Sequence, residues 1–165
     1  MAALKTGTSA PDFTLPAIDG KPFSLKEALV RGPVVVAFFK VSCPVCQFAL
    51  PYLERIFQSY GKRNVTIVGI SQNQNKDTAA FLREYGVSFP VLLDDPKQYL
   101  VSNAYGLTNV PSIFWIAQDG EIEISSVGWV RNEVAEIGRK AAESTGEGAK
   151  PVFRPGEDVP DFRAG

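Results

Sequence analysis

Residues 34–46 read VVVAFFKVSCPVC and are the most informative part of the chain. The six apolar residues Val34 to Phe39 are typical of a central strand that is covered by helices on both faces. A Cys-Pro-Val-Cys motif follows, and Pro44 suits a first helical turn because its missing N–H would have no partner there. We therefore predict a strand, a short turn and a helix, with Cys43 at the helix N-terminus.

Cys43 and Cys46 are the only cysteines among 165 residues. At a helix N-terminus, unpaired amide N–H groups and the positive end of the helix dipole stabilise a thiolate. This placement favours a redox pair. A zinc site normally takes four thiolate or imidazole ligands, and the chain has no third cysteine and no histidine, so we expect no metal. The other interpretation is a pair of inert, buried cysteines.

The composition predicts one soluble globular domain, because 45% of the residues are apolar and 21% are charged. The net charge is −1 and the basic residues are scattered, so nucleic acid is not an expected partner. No apolar run approaches the roughly 18 residues that span a bilayer, and the N-terminus lacks a signal-peptide pattern. We expect a cytoplasmic protein, unless an export signal has been trimmed. No feature assigns an oligomeric state.

The order of predicted elements is typical of an α/β protein with a mixed central sheet. An N-terminal β-hairpin around Asp19-Gly20 should pack at the edge of that sheet. We then expect a helix over 24–30, a strand over 34–39 and a helix from the cysteines to Tyr60 that is bent or interrupted near Pro51. A strand over 64–71, a helix over 77–85, an extended piece over 89–93 and a helical piece over 96–105 should follow. The domain should end with a hairpin of 112–117 and 121–127 and a helix over 132–143. Together these elements predict a three-layer α/β/α sandwich.

The chain divides into a domain at 1–143 and a tail at 144–165 that is rich in proline and glycine. Such a composition prevents regular structure. The tail nevertheless carries Val152, Phe153, Val159 and Phe162, so we expect it to lie along the surface of the domain. A disordered tail is the alternative.

Several motifs, taken in order, resemble the redoxin branch of the thioredoxin superfamily. The chain is similar in particular to TlpA/ResA-like thiol-disulfide oxidoreductases and to AhpC/TSA peroxiredoxins, over roughly residues 8 to 143. The resemblance is carried by Ala10-Pro11-Asp12-Phe13-Thr14-Leu15, Val36-Ala37-Phe38-Phe39 running into Cys43-Pro44-Val45-Cys46, Tyr105-Gly106-Leu107, Val110-Pro111-Ser112, Phe114-Trp115-Ile116 and Asp119-Gly120.

The resemblance implies a thioredoxin-like fold and a division of labour in which Cys43 is the exposed nucleophile and Cys46 the buried resolving thiol. We expect no cofactor, and the expected partners are protein or small-molecule disulfides and a thiol reductant. Pro44 and Val45 would tune the reduction potential of the cysteine pair and contact the substrate. Family members carry a cis proline opposite the cysteines, and Val110-Pro111 matches it as a substrate-binding element; a trans proline at a strand start is the alternative.

Two carboxylates found in relatives are missing here, because Ala37 and Ala49 stand at the corresponding positions. A proton acceptor for Cys46 is therefore unassigned. Lys40 would favour the Cys43 thiolate if it turned toward the sulfur, although a lysine at a strand end is more often simply solvated.

Two other functions stay open. In a peroxiredoxin-like thiol peroxidase the peroxidatic cysteine would be Cys46, but Cys43 stands where such enzymes have a hydroxyl residue, and no arginine lies near Val110-Pro111. The third interpretation is a binding or scaffold module without turnover.

Overall fold

A computed structural model describes residues 3–165. Five strands form the central sheet, and two further pairs of strands lie outside it. In chain order the elements are β1 (Thr14–Pro16), β2 (Pro22–Ser24), α1 (Leu25–Arg31), β3 (Val34–Phe39), α2 (Pro44–Tyr60), β4 (Thr66–Ser71), α3 (Asn75–Tyr85), β5 (Val91–Leu93), α4 (Leu100–Ala104), β6 (Ser112–Ile116), β7 (Ile122–Val127), β8 (Trp129–Val130), α5 (Arg131–Thr145) and β9 (Phe162–Arg163).

The strand order of the central sheet is β5-β4-β3-β6-β7. β3 pairs in parallel with β4 and antiparallel with β6, so the sheet is mixed, as predicted. Because side chains alternate along a strand, Val35, Ala37 and Phe39 join the core beneath α2, α3 and α5. The residues between them join a second core on the opposite face, beneath α1, α4 and the N-terminal segment. The predicted three-layer α/β/α arrangement is confirmed.

β1 and β2 form the predicted N-terminal hairpin, which is a separate two-stranded sheet. A bridge between Ala17 and Leu92 attaches it to β5, the edge strand of the central sheet. The predicted position of the hairpin is therefore confirmed.

Two predicted helices differ from the structure. Of the two alternatives for α2, the interruption near Pro51 is wrong, because one continuous helix runs through that residue. A bend at Pro51 stays a prediction. The helix expected over 96–105 is wrong in its first half, where residues 96–98 form a turn and Tyr99 takes a left-handed conformation with φ of 50°. The carboxylate of Asp94 accepts hydrogen bonds from the N–H groups of Val101 and Ser102, so the helix begins only at Leu100.

The tail lies along the surface of the domain. Arg55 binds Glu157 through two hydrogen bonds of 2.8 and 2.7 Å, and the indole N–H of Trp129 donates to the carbonyl of Pro160 at 2.7 Å. Val152 is buried, and the side chain of Phe162 is 62% exposed. The backbone of Phe162 pairs with Val130 of β8, so the expectation that the tail has no regular structure is wrong at β9. No helix within residues 3–165 has both the length and the apolar content needed to cross a bilayer.

Candidate active site

The turn between β3 and α2 places Cys43 immediately before the first residue of the helix, Pro44. In this N-cap position its Sγ accepts a hydrogen bond from the N–H of Cys46 at 3.1 Å. The N–H of the next residue, Gln47, donates to the Cys43 carbonyl at 3.0 Å and continues the helix. The predicted strand, turn and helix are thus confirmed, with Cys43 at the helix N-terminus.

The two cysteines are free thiols in different surroundings. Cys43 is half-buried, whereas Cys46 is fully buried among apolar residues that include Ala37 and Ala49. Burial raises the pKa of the Cys46 thiol well above its ordinary value of 9.0, and its hydrogen bond with the Cys43 side chain raises it further. A backbone hydrogen bond with Lys40 acts in the opposite direction but is outweighed. Cys46 is therefore held as a protonated thiol in the reduced protein.

The loop before β6 lies against the cysteine pair. The Val110–Pro111 peptide bond is cis, as the resemblance implies. The Cys43 thiol donates to the carbonyl of Val110 at 3.5 Å, which joins this loop to the turn that carries Cys43. Val110 is half-buried and Pro111 is buried.

The two residues between Cys43 and Cys46 differ in solvent exposure. Pro44 is exposed and Val45 is half-buried, both in the first turn of α2. The structure therefore brings together Cys43, Cys46 and Val110, with Pro44 beside them. The contribution of Pro44, Val45, Val110 and Pro111 to substrate binding stays a prediction.

Lys40 is half-buried and enters the site through its backbone, because its carbonyl accepts a hydrogen bond from the N–H of Cys43 at 3.3 Å. Its ammonium lies 5.7 Å from the centroid of the Tyr99 ring. The side chain lines a cleft of about 240 Å³ that Gln72 and Val110 also line. An effect of Lys40 on the Cys43 thiolate stays a prediction.

The end of the tail also reaches the site, which the sequence analysis missed. The amide of Asn109 donates to the carbonyl of Gly165 at 3.2 Å, and the guanidinium of Arg163 lies 4.8 Å from the ring centroid of Phe48. The apolar residues of the tail were the signal that it is attached to the domain. They gave no indication of where its last residues lie, because the contacts of those residues are made mainly by the backbone.

Comparisons with known proteins agree with this geometry. Residues 6–125 match the AhpC/TSA family. The thiol-disulfide oxidoreductase ResA of Halalkalibacterium halodurans is 29% identical over 133 residues, which are 80% of this chain and 74% of the relative.

Solved structures are also similar. A thiol:disulfide interchange protein of the thioredoxin family from Chlorobium tepidum TLS superposes with a TM-score of 0.69 at 28% identity, covering 87% of this chain and 99% of that one. Peroxidoxin BcpB from Mycobacterium tuberculosis superposes with a TM-score of 0.66 at 25% identity, covering 84% of this chain and 95% of that one.

The fold, the cysteine pair and these similarities define a thiol-disulfide oxidoreductase with a thioredoxin-like fold. The chain belongs to the AhpC/TSA family.

Proposed function

We propose that the protein uses Cys43 and Cys46 as a dithiol/disulfide couple that exchanges with the disulfides of proteins or small molecules. The single observation that carries this proposal is the unequal exposure of two adjacent thiols at a helix start, with Cys43 half-buried and Cys46 fully buried. The more exposed of the two sulfurs suits attack on a partner, and the neighbouring buried sulfur suits the step that follows.

In the first step the thiolate of Cys43 attacks one sulfur of the partner disulfide. A Cys43–partner bond forms, the partner's S–S bond breaks, and one partner sulfur leaves as a thiolate. The N–H of Cys46 points at the Cys43 sulfur from 3.1 Å, so it is placed to bind the negative charge before attack.

In the second step Cys46 loses its proton and attacks Cys43. The Cys43–Cys46 disulfide forms, the second partner sulfur leaves, and the two partner thiolates take up two protons. Two electrons have then passed from the protein to the partner, and an external thiol reductant restores the dithiol by the reverse chemistry. Because Ala37 and Ala49 supply no carboxylate beside Cys46, water or a carboxylate from elsewhere must accept its proton.

A peroxiredoxin-like thiol peroxidase is the second candidate, and the similarity to peroxidoxin BcpB is the observation in its favour. The surroundings of Cys46 support it less well. A peroxidatic cysteine must meet the peroxide as a thiolate, whereas Cys46 is fully buried and its pKa is raised.

The test uses reduced protein and a small disulfide such as hydroxyethyl disulfide. Mass spectrometry should show that the wild-type protein loses two hydrogens as the Cys43–Cys46 disulfide forms. Cys43→Ser should abolish the reaction, whereas Cys46→Ser should stop it at the mixed disulfide. Ser42→Ala, an exposed neighbour outside the pair, serves as the matched control and should behave as the wild type.

Hydrogen peroxide consumption is measured on the same proteins. Peroxide turnover that survives Cys43→Ser, together with the absence of a mixed disulfide in Cys46→Ser, would overturn the exchange mechanism and favour the peroxidase.

A further inference from the structure

The last residues of the chain lie against the surroundings of the reactive thiol. β9 pairs antiparallel with β8, with Trp129 opposite Arg163 and Val130 opposite Phe162. Beyond β9, a Cβ atom placed on Gly165 would lie only 2.3 Å from the carbonyl oxygen of Val110. The backbone of Gly165 is therefore in contact with the same carbonyl that accepts the hydrogen bond of Cys43.

Gly128 permits this close approach. It has a left-handed φ of 76°, and a Cβ atom there would lie 2.5 Å from the carbonyl oxygen of Arg163 and 3.1 Å from the nitrogen of Gly165. Only glycine accommodates both this conformation and the passing backbone. One glycine in the domain and one in the tail thus allow the two backbones to touch.

The two parts of the tail are held to different degrees. Up to Pro160 it is anchored by the Arg55–Glu157 pair, the Trp129–Pro160 hydrogen bond and the buried side chain of Val152. Residues 162–165, which we call the terminal segment, are all exposed. They are held by a ladder of two residue pairs, by the hydrogen bond from Asn109 to Gly165 and by the contact of Arg163 with the Phe48 ring. These few contacts lie on exposed residues, and they open at a lower free-energy cost than the buried anchors of residues 152–160, so the terminal segment is able to leave while the rest of the tail stays in place.

We propose that the terminal segment competes with extended polypeptides for the surface beside Cys43, so that the enzyme acts on small disulfides in preference to disulfides in extended chains. This inference rests on the proposed exchange function. An extended chain that brings a sulfur to Cys43 gains affinity by pairing with exposed backbone, but the segment already covers the β8 edge and the Val110 carbonyl.

A small disulfide needs only to reach the half-buried sulfur of Cys43. A longer substrate must wait for the segment to leave, which reduces its apparent affinity by the fraction of molecules that are open. The segment thus acts as a specificity element that is part of the same chain.

The test compares two substrates with the same leaving group, namely the thionitrobenzoate mixed disulfides of cysteine amide and of an unstructured peptide with one cysteine. Removing residues 162–165 should raise the rate constant for the peptide by about tenfold or more and leave that for cysteine amide within about twofold. Gly165→Ala, which puts a methyl group against the Val110 carbonyl, should act in the same direction without shortening the chain. Gly148→Ala is the matched control, because a Cβ atom there meets nothing within 4 Å.

Equal changes for both substrates, or no change for either, would overturn the proposal. Binding of a peptide with serine in place of cysteine is followed separately through the backbone amide signals of Val110 and Trp129. Tighter binding to the truncated chain supports competition and equal binding refutes it, whether or not turnover is seen. Failure of every form to react with cysteine amide would instead count against the proposed exchange function.

Discussion

Cys43 and Cys46 lie three positions apart, yet the fold gives them opposite properties. Cys43 caps α2 and keeps a path to solvent, whereas Cys46 faces the core, where Ala37 and Ala49 offer it no charged partner. In the proposed mechanism, the fold therefore separates the sulfur that attacks the partner disulfide from the sulfur that resolves the mixed disulfide. The cost of this separation falls on the second step, because a buried thiol must ionise before it attacks.

The second step should therefore become faster as the pH rises. Because burial raises the pKa of Cys46 above 9.0, the thiolate fraction keeps increasing beyond that pH. We expect the decay of the mixed disulfide to accelerate by about tenfold per pH unit from neutrality past this value. Stopped-flow measurement of the released partner thiol checks this expectation, with Cys46→Ser as the control that shows no decay. A plateau below pH 9.0 would contradict it.

At the scale of elements, buried side-chain hydrogen bonds fix where α4 begins. The carboxylate of Asp94, only 1% exposed, accepts hydrogen bonds from the N–H of Val101 and from both the N–H and the hydroxyl of Ser102. The Ser102 hydroxyl in turn accepts from the amide of Gln72, which directly follows β4. This connected set attaches α4 to the end of the central sheet next to the cleft of Lys40.

Asp94→Ala should destabilise the protein because it leaves three buried donors without their acceptor. We expect the free energy of unfolding to fall by about 2 to 4 kcal/mol, and Asp94→Asn, which keeps one acceptor oxygen, to cost less. Urea denaturation measures both. Asp95→Ala at the exposed neighbouring position is the control, and a loss at Asp94 no larger than at Asp95 would contradict the expectation.

Elements with a strong local pattern were predictable from the sequence, and those that depend on distant partners were not. β3 has the predicted bounds because six apolar residues in a row suit only a strand covered on both faces. The start of α4 was misplaced because the carboxylate of Asp94, which lies upstream of Leu100, sets it through hydrogen bonds rather than through a local sequence pattern. In the site, the sequence motifs predicted Cys43, Cys46 and Val110. The approach of Gly165 to Val110 was not predictable, because neither the residues around Val110 nor those around Gly165 form a pattern that indicates it.

At the scale of the molecule, the tail holds together parts of the domain that are distant in sequence. Arg55 on α2 binds Glu157 and also donates to the carbonyl of Val152 at 3.0 Å. The Arg55 guanidinium holds the pKa of the Glu157 carboxyl at about 2, well below its ordinary value of 4.5. The tail is thus fastened to the domain by a charged hydrogen-bonded pair as well as by apolar contacts.

The contribution of Glu157 to stability should depend on pH in a defined window. Because its pKa is lower in the folded protein, the stabilisation is fully present above pH 4.5 and is lost as the pH falls toward 2. The difference in unfolding free energy between the wild type and Glu157→Gln should therefore be constant above that window and shrink within it. Urea titrations across this range provide the measurement.

Asp161→Asn is the control for this comparison. The Asp161 carboxylate is 95% exposed and lies 4.0 Å from Arg131, which is a longer distance than that of the Arg55–Glu157 pair. Its difference from the wild type should stay small throughout. Parallel stability curves for the wild type and Glu157→Gln over the whole range would contradict the role assigned to the Arg55–Glu157 pair.

The contact between Gly165 and the Val110 carbonyl bears on how the protein is handled in the laboratory. A purification tag or fusion partner joined after Gly165 would begin next to the Val110 carbonyl, which also accepts the hydrogen bond of Cys43. Under the proposed competition, preparations extended at this end would react faster with extended peptides than the untagged protein does.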